Sequence, residues 1–200
     1  MTAVTTGERT ALKEWAVLCD AMARGDIIAM VRKGGIREKR AGFAVRHDRF
    51  LFYPTFFHER LDELAPRFRN ALAESHAAQR VPSGQAGIVR VSLVADVAAV
   101  WQVDDLEKLR AIEGEHGLAW SAVESRFHYR GIPGVHVVAV HVSRLRDIAE
   151  VPELRRYAGC VSWVELDDEI DVTGARPAIS ADAFEARLAR LRTLLGEGVA

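Results

Sequence analysis

The sequence predicts an α+β fold: a mixed, strongly bent sheet or a small β-barrel, with flanking helices. Three observations lead there. Ile88–Val103 is long and β-branched enough to form one strand. Val135 to Val142 is almost wholly apolar, as expected of a strand buried on both faces. Runs of strand alternate irregularly with short helices, which disfavours a doubly wound parallel sheet.

The elements follow in order. Thr10 is placed to cap a first helix. Leu12, Trp15, Ala16, Cys19, Met22 and Ala23 then recur at helical spacing, and Gly25 stops the helix in a left-handed turn. Cys19 on this reading is a small core hydrophobe. Ile27 to Val31 is a short apolar strand leaving through Arg32, Lys33, Gly34 and Gly35. The paired glycines mark a tight turn or a close backbone approach. Phe43 and Val45 alternate with Ala44 and Arg46. His47-Asp48-Arg49 then reads as a hairpin turn, and Phe50 to Tyr53 as the return strand, ended by Pro54. The stretch from His58 to Gln79 is helical in composition and broken by Pro66.

Val81 to Gly87 is the one clear linker. The long strand after it has Arg90, Ser92 and Asp96 on a partly wet face, with a bulge expected near Ala95. Asp104 is placed to cap a helix through Ile112, and Ala119 to Phe127 forms another. Gly159 to Leu166 is the last expected strand. Ser180 caps a final helix whose Phe184, Leu188, Leu191 and Leu195 share one face. Residues 10–170 are expected to form a single α+β domain, and 171–200 a C-terminal helical appendage. The strands on both sides of the linker belong to one sheet, because neither half has enough strands to bury its own apolar runs.

Composition excludes several function classes. The 200 residues carry 27 Lys+Arg and 28 Asp+Glu, a net charge of -1, so the chain is no histone-like polycation. Two cysteines are too few for a disulfide scaffold or a four-cysteine zinc site. No apolar run reaches the roughly 20 residues that span a bilayer. Met1 to Arg9 lacks the apolar core of a secretory signal, so the expected location is cytoplasmic, with no membrane partner.

Motifs for chemistry are sparse. G-x-x-x-x-G-K-[ST], G-x-G-x-x-G, G-x-S-x-G and H-E-x-x-H are all missing. His136 and His141 fall on opposite faces of one strand and cannot share a metal. A metal-dependent nuclease or phosphodiesterase needs spaced carboxylates and a lysine. The nearest match, Asp105-Leu106-Glu107-Lys108, falls on a helix. No catalytic residue, metal ligand or cofactor is therefore expected.

The informative feature is an uneven distribution of charge. Arg24 to Arg49 carries +5, whereas Asp147 to Asp171 carries -6. Five of the eight phenylalanines fall between Phe43 and Phe57. Basic side chains neutralise phosphates and aromatic faces stack unpaired bases. Alternating phenylalanines in strands also build cores, and the basic and acidic segments could face each other or a protein partner. RNA or another polyanion is the expected ligand; an adaptor and a metal-dependent nuclease are the alternatives.

Leu12-Lys-Glu-Trp15, Arg32-Lys-Gly-Gly-Ile36, Phe50-Leu-Phe-Tyr-Pro-Thr55 with His58, and Tyr157-Ala-Gly-Cys-Val-Ser-Trp163 together resemble a bacterial family catalogued as a domain of unknown function, number 1802. The family's Tyr-Glu-His after Pro-Thr reads Phe56-Phe57-His58 here, so only the histidine is kept. The order of elements is more loosely similar to the pseudouridine-synthase-associated (PUA-like) RNA-binding barrels and their ASCH relatives. That likeness implies a nucleic-acid cleft between the first helix and the barrel. With the adjoining basic run it places Arg32, Lys33, Gly34, Gly35, Arg37, Thr55 and His58 at the site. His58 has the competing role of a helix-start residue bonding backbone.

Overall fold

The computed structural model describes residues 7–33, 47–56, 59–72, 74–75, 87–157 and 161–199. Among the described residues, seven strands form one mixed sheet: β1 (Gly7–Trp15), β2 (Ala29–Arg32), β3 (Arg49–Thr55), β4 (Ile88–Val103), β5 (Val135–Pro152), β6 (Trp163–Asp171) and β7 (Arg176–Pro177). The helices are α1 (Ala16–Arg24), α2 (Pro66–Arg69), α3 (Leu106–Ala111), α4 (Trp120–Phe127) and α5 (Ala181–Leu195). The strand order is β2-β5-β4-β3-β1-β6, and β7 pairs with β5. The sheet does not close, so of the two forms expected it takes the open one. The β1–β3 pair is parallel and the others are antiparallel. No described helix is long and apolar enough to cross a membrane.

The largest departure from the sequence reading is at the start. Residues 10 to 15 are strand, and the helix begins only at Ala16. Tertiary pairing overrides local periodicity here. Ala11 to Trp15 run beside Leu51 to Thr55 on one side, and Ala11 and Leu12 face Val164 and Trp163 on the other. Gly25 does end the helix at φ 77°, with its N–H returned to Met22 O. A Cβ there would strike the Ile179 side chain.

β4 and β5 form a long ribbon, from Val103 beside Val135 to Ile88 beside Pro152. β5 runs ten residues past Val142, because β4 offers partners along its whole length. Its register shifts twice, between Val91 and Leu93 and between Val97 and Ala99, on either side of the expected Ala95. Each bulge bends the ribbon. β3 continues through Pro54 to Thr55. The Phe43–Arg46 arm of the expected hairpin and residues 81–86 of the linker lie outside the described residues. β3 and β4, which flank that linker, pair directly. The α3 cap is Asp105, not Asp104: its carboxylate accepts from Glu107 N–H at 2.8 Å.

Two apolar clusters sit on opposite faces of the sheet. The larger joins Leu12, Phe50, Phe52 and Val137 to α1, α3, α4 and α5. The smaller holds Leu51, Tyr53, Val91, Tyr157 and Leu166. Phe184, Leu188, Leu191 and Leu195 of α5 enter the larger cluster, each burial stabilising by roughly 1.5–3 kcal/mol. Ser180 Oγ accepts from Ala183 N–H at 3.3 Å, as a cap should. Trp101 Nε1–H donates to Gly196 O at 2.7 Å and fixes the far end of the helix.

His116 is buried just before α4. Its Nδ1 accepts from Leu118 N–H at 3.2 Å, while Nε2 finds no partner among the described residues. Burial, then nearby Arg67 and Arg126, lowers its pKa from 6.5 to about 4. The folded state thus holds it neutral where the unfolded chain protonates it. Stability should fall as pH drops from 6.5 toward 4, by up to about 3 kcal/mol, and level off below. Urea titrations at pH 7 and 4.5 check this: His116→Asn should lose that part of the pH dependence.

Candidate functional site

The candidate site lies where the C-terminal ends of β1, β2 and β3 meet α4. Along β1 the side chains alternate. Lys13 turns to the smaller cluster, where its ammonium reaches Tyr157 O and lies 5.9 Å from the Tyr53 ring centre. Glu14 turns to the helix-covered face and is 6% exposed. Its Oε1 accepts from Trp15 N–H at 2.8 Å, and its Oε2 accepts from Arg32 Nη1 at 3.0 Å. Arg32 Nη2 also donates to Lys13 O at 3.2 Å.

This ion pair reports the shape of the sheet. β1 and β2 are four strand steps apart. Neighbouring strands lie about 4.8 Å apart, so a flat sheet would separate the two by about 19 Å. One arginine cannot bridge that gap. The sheet must curl until β2 faces β1 across a seam, which Glu14 and Arg32 close in place of a ladder.

Arg126 of α4 enters the same seam. Its Nη1 donates to Val31 O at 2.8 Å, and its guanidinium sits 5.5 Å from the Trp15 ring centre. It thereby gives one carbonyl of β2, the outermost strand of the sheet path, a charged donor. Burial pulls its pKa below the ordinary value, with Glu14 opposing that effect and Arg32 adding to it.

Lys33 leaves the seam in the other direction. Its ammonium donates to Phe127 O at 3.1 Å, to Gly134 O at 2.5 Å, and to Ile132 O. Burial lowers its pKa. Thr55 ends β3 in register with Trp15. Glu59 Oε1 accepts from Val17 N–H at 3.2 Å, so a carboxylate covers the N-terminus of α1. Cys19 lies beneath, its Sγ 3.9 Å from Glu14 O; burial first, and then Glu14, pushes its thiol pKa up.

Of the residues expected at the site, Arg32, Lys33 and Thr55 come to one end of the sheet. Gly34, Gly35, Arg37 and His58 lie outside the described residues. The sequence reading missed Glu14 and Arg126. A helical period puts Glu14 on the face away from Leu12; a strand period puts both on one face, and that period was the available signal. Among the described residues no three His, Cys, Asp or Glu side chains gather as metal ligands. A depression of about 610 Å³ beside Arg24, Asp26 and Arg67 holds none of the site residues. Arg32, Lys33 and Arg126 bring three cations to this end of the sheet: Arg32 pairs with Glu14, while Lys33 and Arg126 donate to backbone carbonyls. Such a gathering of positive charge suits an anionic ligand.

A model of a family catalogued as a domain of unknown function, DUF1802, matches residues 11–190. No curated protein matches the chain. Among solved structures, ASCH from Zymomonas mobilis is similar at a TM-score of 0.42 and 13% identity, over 92% of this chain and 95% of that one. A point mutant of that protein gives 0.43 and 12%, over 91% and 94%. Both parts of the sequence resemblance, to the family and to ASCH proteins, recur in these comparisons.

Removing one partner of a buried pair strands the other charge. Glu14→Ala and Arg32→Ala should each cost about 3 kcal/mol, and the double variant less than their sum. Urea unfolding measures all three. Lys33→Met should cost about 1–2 kcal/mol through the three carbonyls it leaves without their charged donor.

Proposed function

We propose that this chain, which belongs to the DUF1802 family, is a nucleic-acid-binding module that takes single-stranded RNA at the seam end of its sheet. The observation that supports this reading is the gathering of positive charge at one place. Arg32 pairs there with Glu14, and Lys33 and Arg126 donate to the carbonyls of Phe127 and Val31. Beyond Lys33, residues 34–49 of the basic segment carry five basic and two acidic side chains, a further +3. The residues that would meet phosphate are Arg32, Lys33, Gly34, Gly35 and Arg37, together with Thr55 and His58. Glu14 tunes the field and orients Arg32, leaving phosphate contact to the cations.

The PUA-like resemblance of the sequence points to the same ligand class. The rival nuclease reading has less support, since the Asp105 carboxylate is engaged as the α3 cap. The adaptor reading, in which the acidic Asp147–Asp171 segment meets a basic partner, rests on that charge alone.

The test is fluorescence anisotropy of intact protein with a labelled single-stranded RNA, between about 50 and 200 mM salt. Affinity should fall as salt rises, without marked base preference. Each lost phosphate contact should flatten the log–log slope by about 0.7, so Arg37→Ala should reduce it by about that much. Absence of binding at the lowest salt would remove the nucleic-acid reading.

A further inference from the structure

Beside the seam, the segment after α4 forms a tight exposed loop, His128-Tyr-Arg-Gly-Ile-Pro-Gly134. Its large apolar groups face solvent: Tyr129 is 42% exposed and Ile132 is 65% exposed. Arg130 sits at φ 60°, ψ 23°, the one non-glycine residue with positive φ among the described residues. Gly131 follows at φ 69° and Gly134 at φ 110°. A side chain in the left-handed region is disfavoured, and glycine would relieve that cost. The loop therefore keeps an arginine where glycine would be the better turn residue.

The loop is also held in place. The Lys33 ammonium ties Phe127 O, Ile132 O and Gly134 O together from beneath, and so links the loop to the end of β2. Arg126 fixes α4, which feeds the loop, to β2. The Arg130 guanidinium lies 5.3 Å from the Tyr129 ring centre, while the exposed His128 sets its ring edge-on to Phe127. An aromatic face with an adjacent arginine, on a prearranged loop beside a cationic seam, matches the chemistry that grips an unpaired nucleotide. The ring stacks the base and the guanidinium meets its phosphate.

We propose that the 128–134 loop is the base-contacting element of the site, with Tyr129 stacking an unpaired base and Arg130 meeting the adjoining phosphate. This rests on the single-stranded RNA reading above and adds the part of the protein that touches bases. Packing of the body does not require the Tyr129 ring, so its exposure is what makes it available.

The experiment uses the intact chain and a single-stranded RNA carrying one 2-aminopurine, whose fluorescence is quenched by stacking. Wild type and Tyr129→Phe should bind alike and alter the probe's emission alike. Tyr129→Ala should weaken binding by about tenfold or more and abolish that change, with an unaltered thermal melt. Arg130→Gly separates function from turn geometry. It should raise Tm by relieving the left-handed backbone, yet weaken binding and flatten the salt slope by about 0.7. If wild type binds RNA but Tyr129→Ala leaves both affinity and emission unchanged, the loop assignment is wrong and the seam reading stands. Unchanged affinity in Arg130→Gly likewise overturns the role of Arg130. If the wild type binds no RNA, both readings fall.

Discussion

The Glu14–Arg32 pair is the contact on which the rest of this site depends. β6 pairs with β1 only as far as Leu12, and β1 and β2 share no backbone ladder among the described residues. Here the two strands stop at a seam, and two side chains meet across it at 3.0 Å. Both are largely withdrawn from water, with side chains 14% and 7% exposed for Arg32 and Glu14. Such a pair contributes little net stability, since desolvation offsets most of the attraction. What it supplies is position. It sets how far the sheet curls, and it holds a guanidinium at the end of β1, just before α1 begins.

The neighbouring cations extend that arrangement outward. Arg126 gives one carbonyl of β2 a charged donor and braces α4 against Trp15. Lys33 gathers three carbonyls of the following loop. One strand end thus places consecutive basic residues in different tasks. Arg32 faces inward to the seam, and Lys33 faces outward to the loop, as alternation along β2 requires. Charge spent on backbone carbonyls still adds to the local potential, so a structural role for Lys33 and an anionic ligand nearby are compatible.

The buried polar groups elsewhere follow the same pattern. Tyr157 O–H accepts from Asp167 N–H at 2.9 Å and braces β6. The Glu115 carboxylate takes Arg187 of α5 at 2.6 Å, while Arg187 also reaches Gly25 O at 2.6 Å, where α1 ends. Side chains from the last helix therefore lock the turn that leads into β2. The seam is supported from both ends: by α4 at the strand exit and by α5 at the strand entry.

Local chemistry in the sequence determined much of this. The unbroken β-branched run makes β4 a strand with the bounds read from it, Ser180 and the leucine spacing make α5, and Gly25 stops α1. The gathering of strands into one mixed sheet was legible because neither half could bury its apolar runs alone. Part of the site was legible as well: Arg32 and Lys33 stand out as a basic strand exit and Thr55 as a strand end. Only tertiary structure decided residues 10–15, whose apolar spacing fits a helix until β3 and β6 offer them backbone partners. That choice of period turns Glu14 from a solvent-facing residue into the buried partner of Arg32. Likewise, nothing near Arg126 in the chain reveals that Val31 lies within its reach. Contacts between residues 18 and 95 positions apart arise from the curl of the sheet, a property of all its strands together and of no local segment.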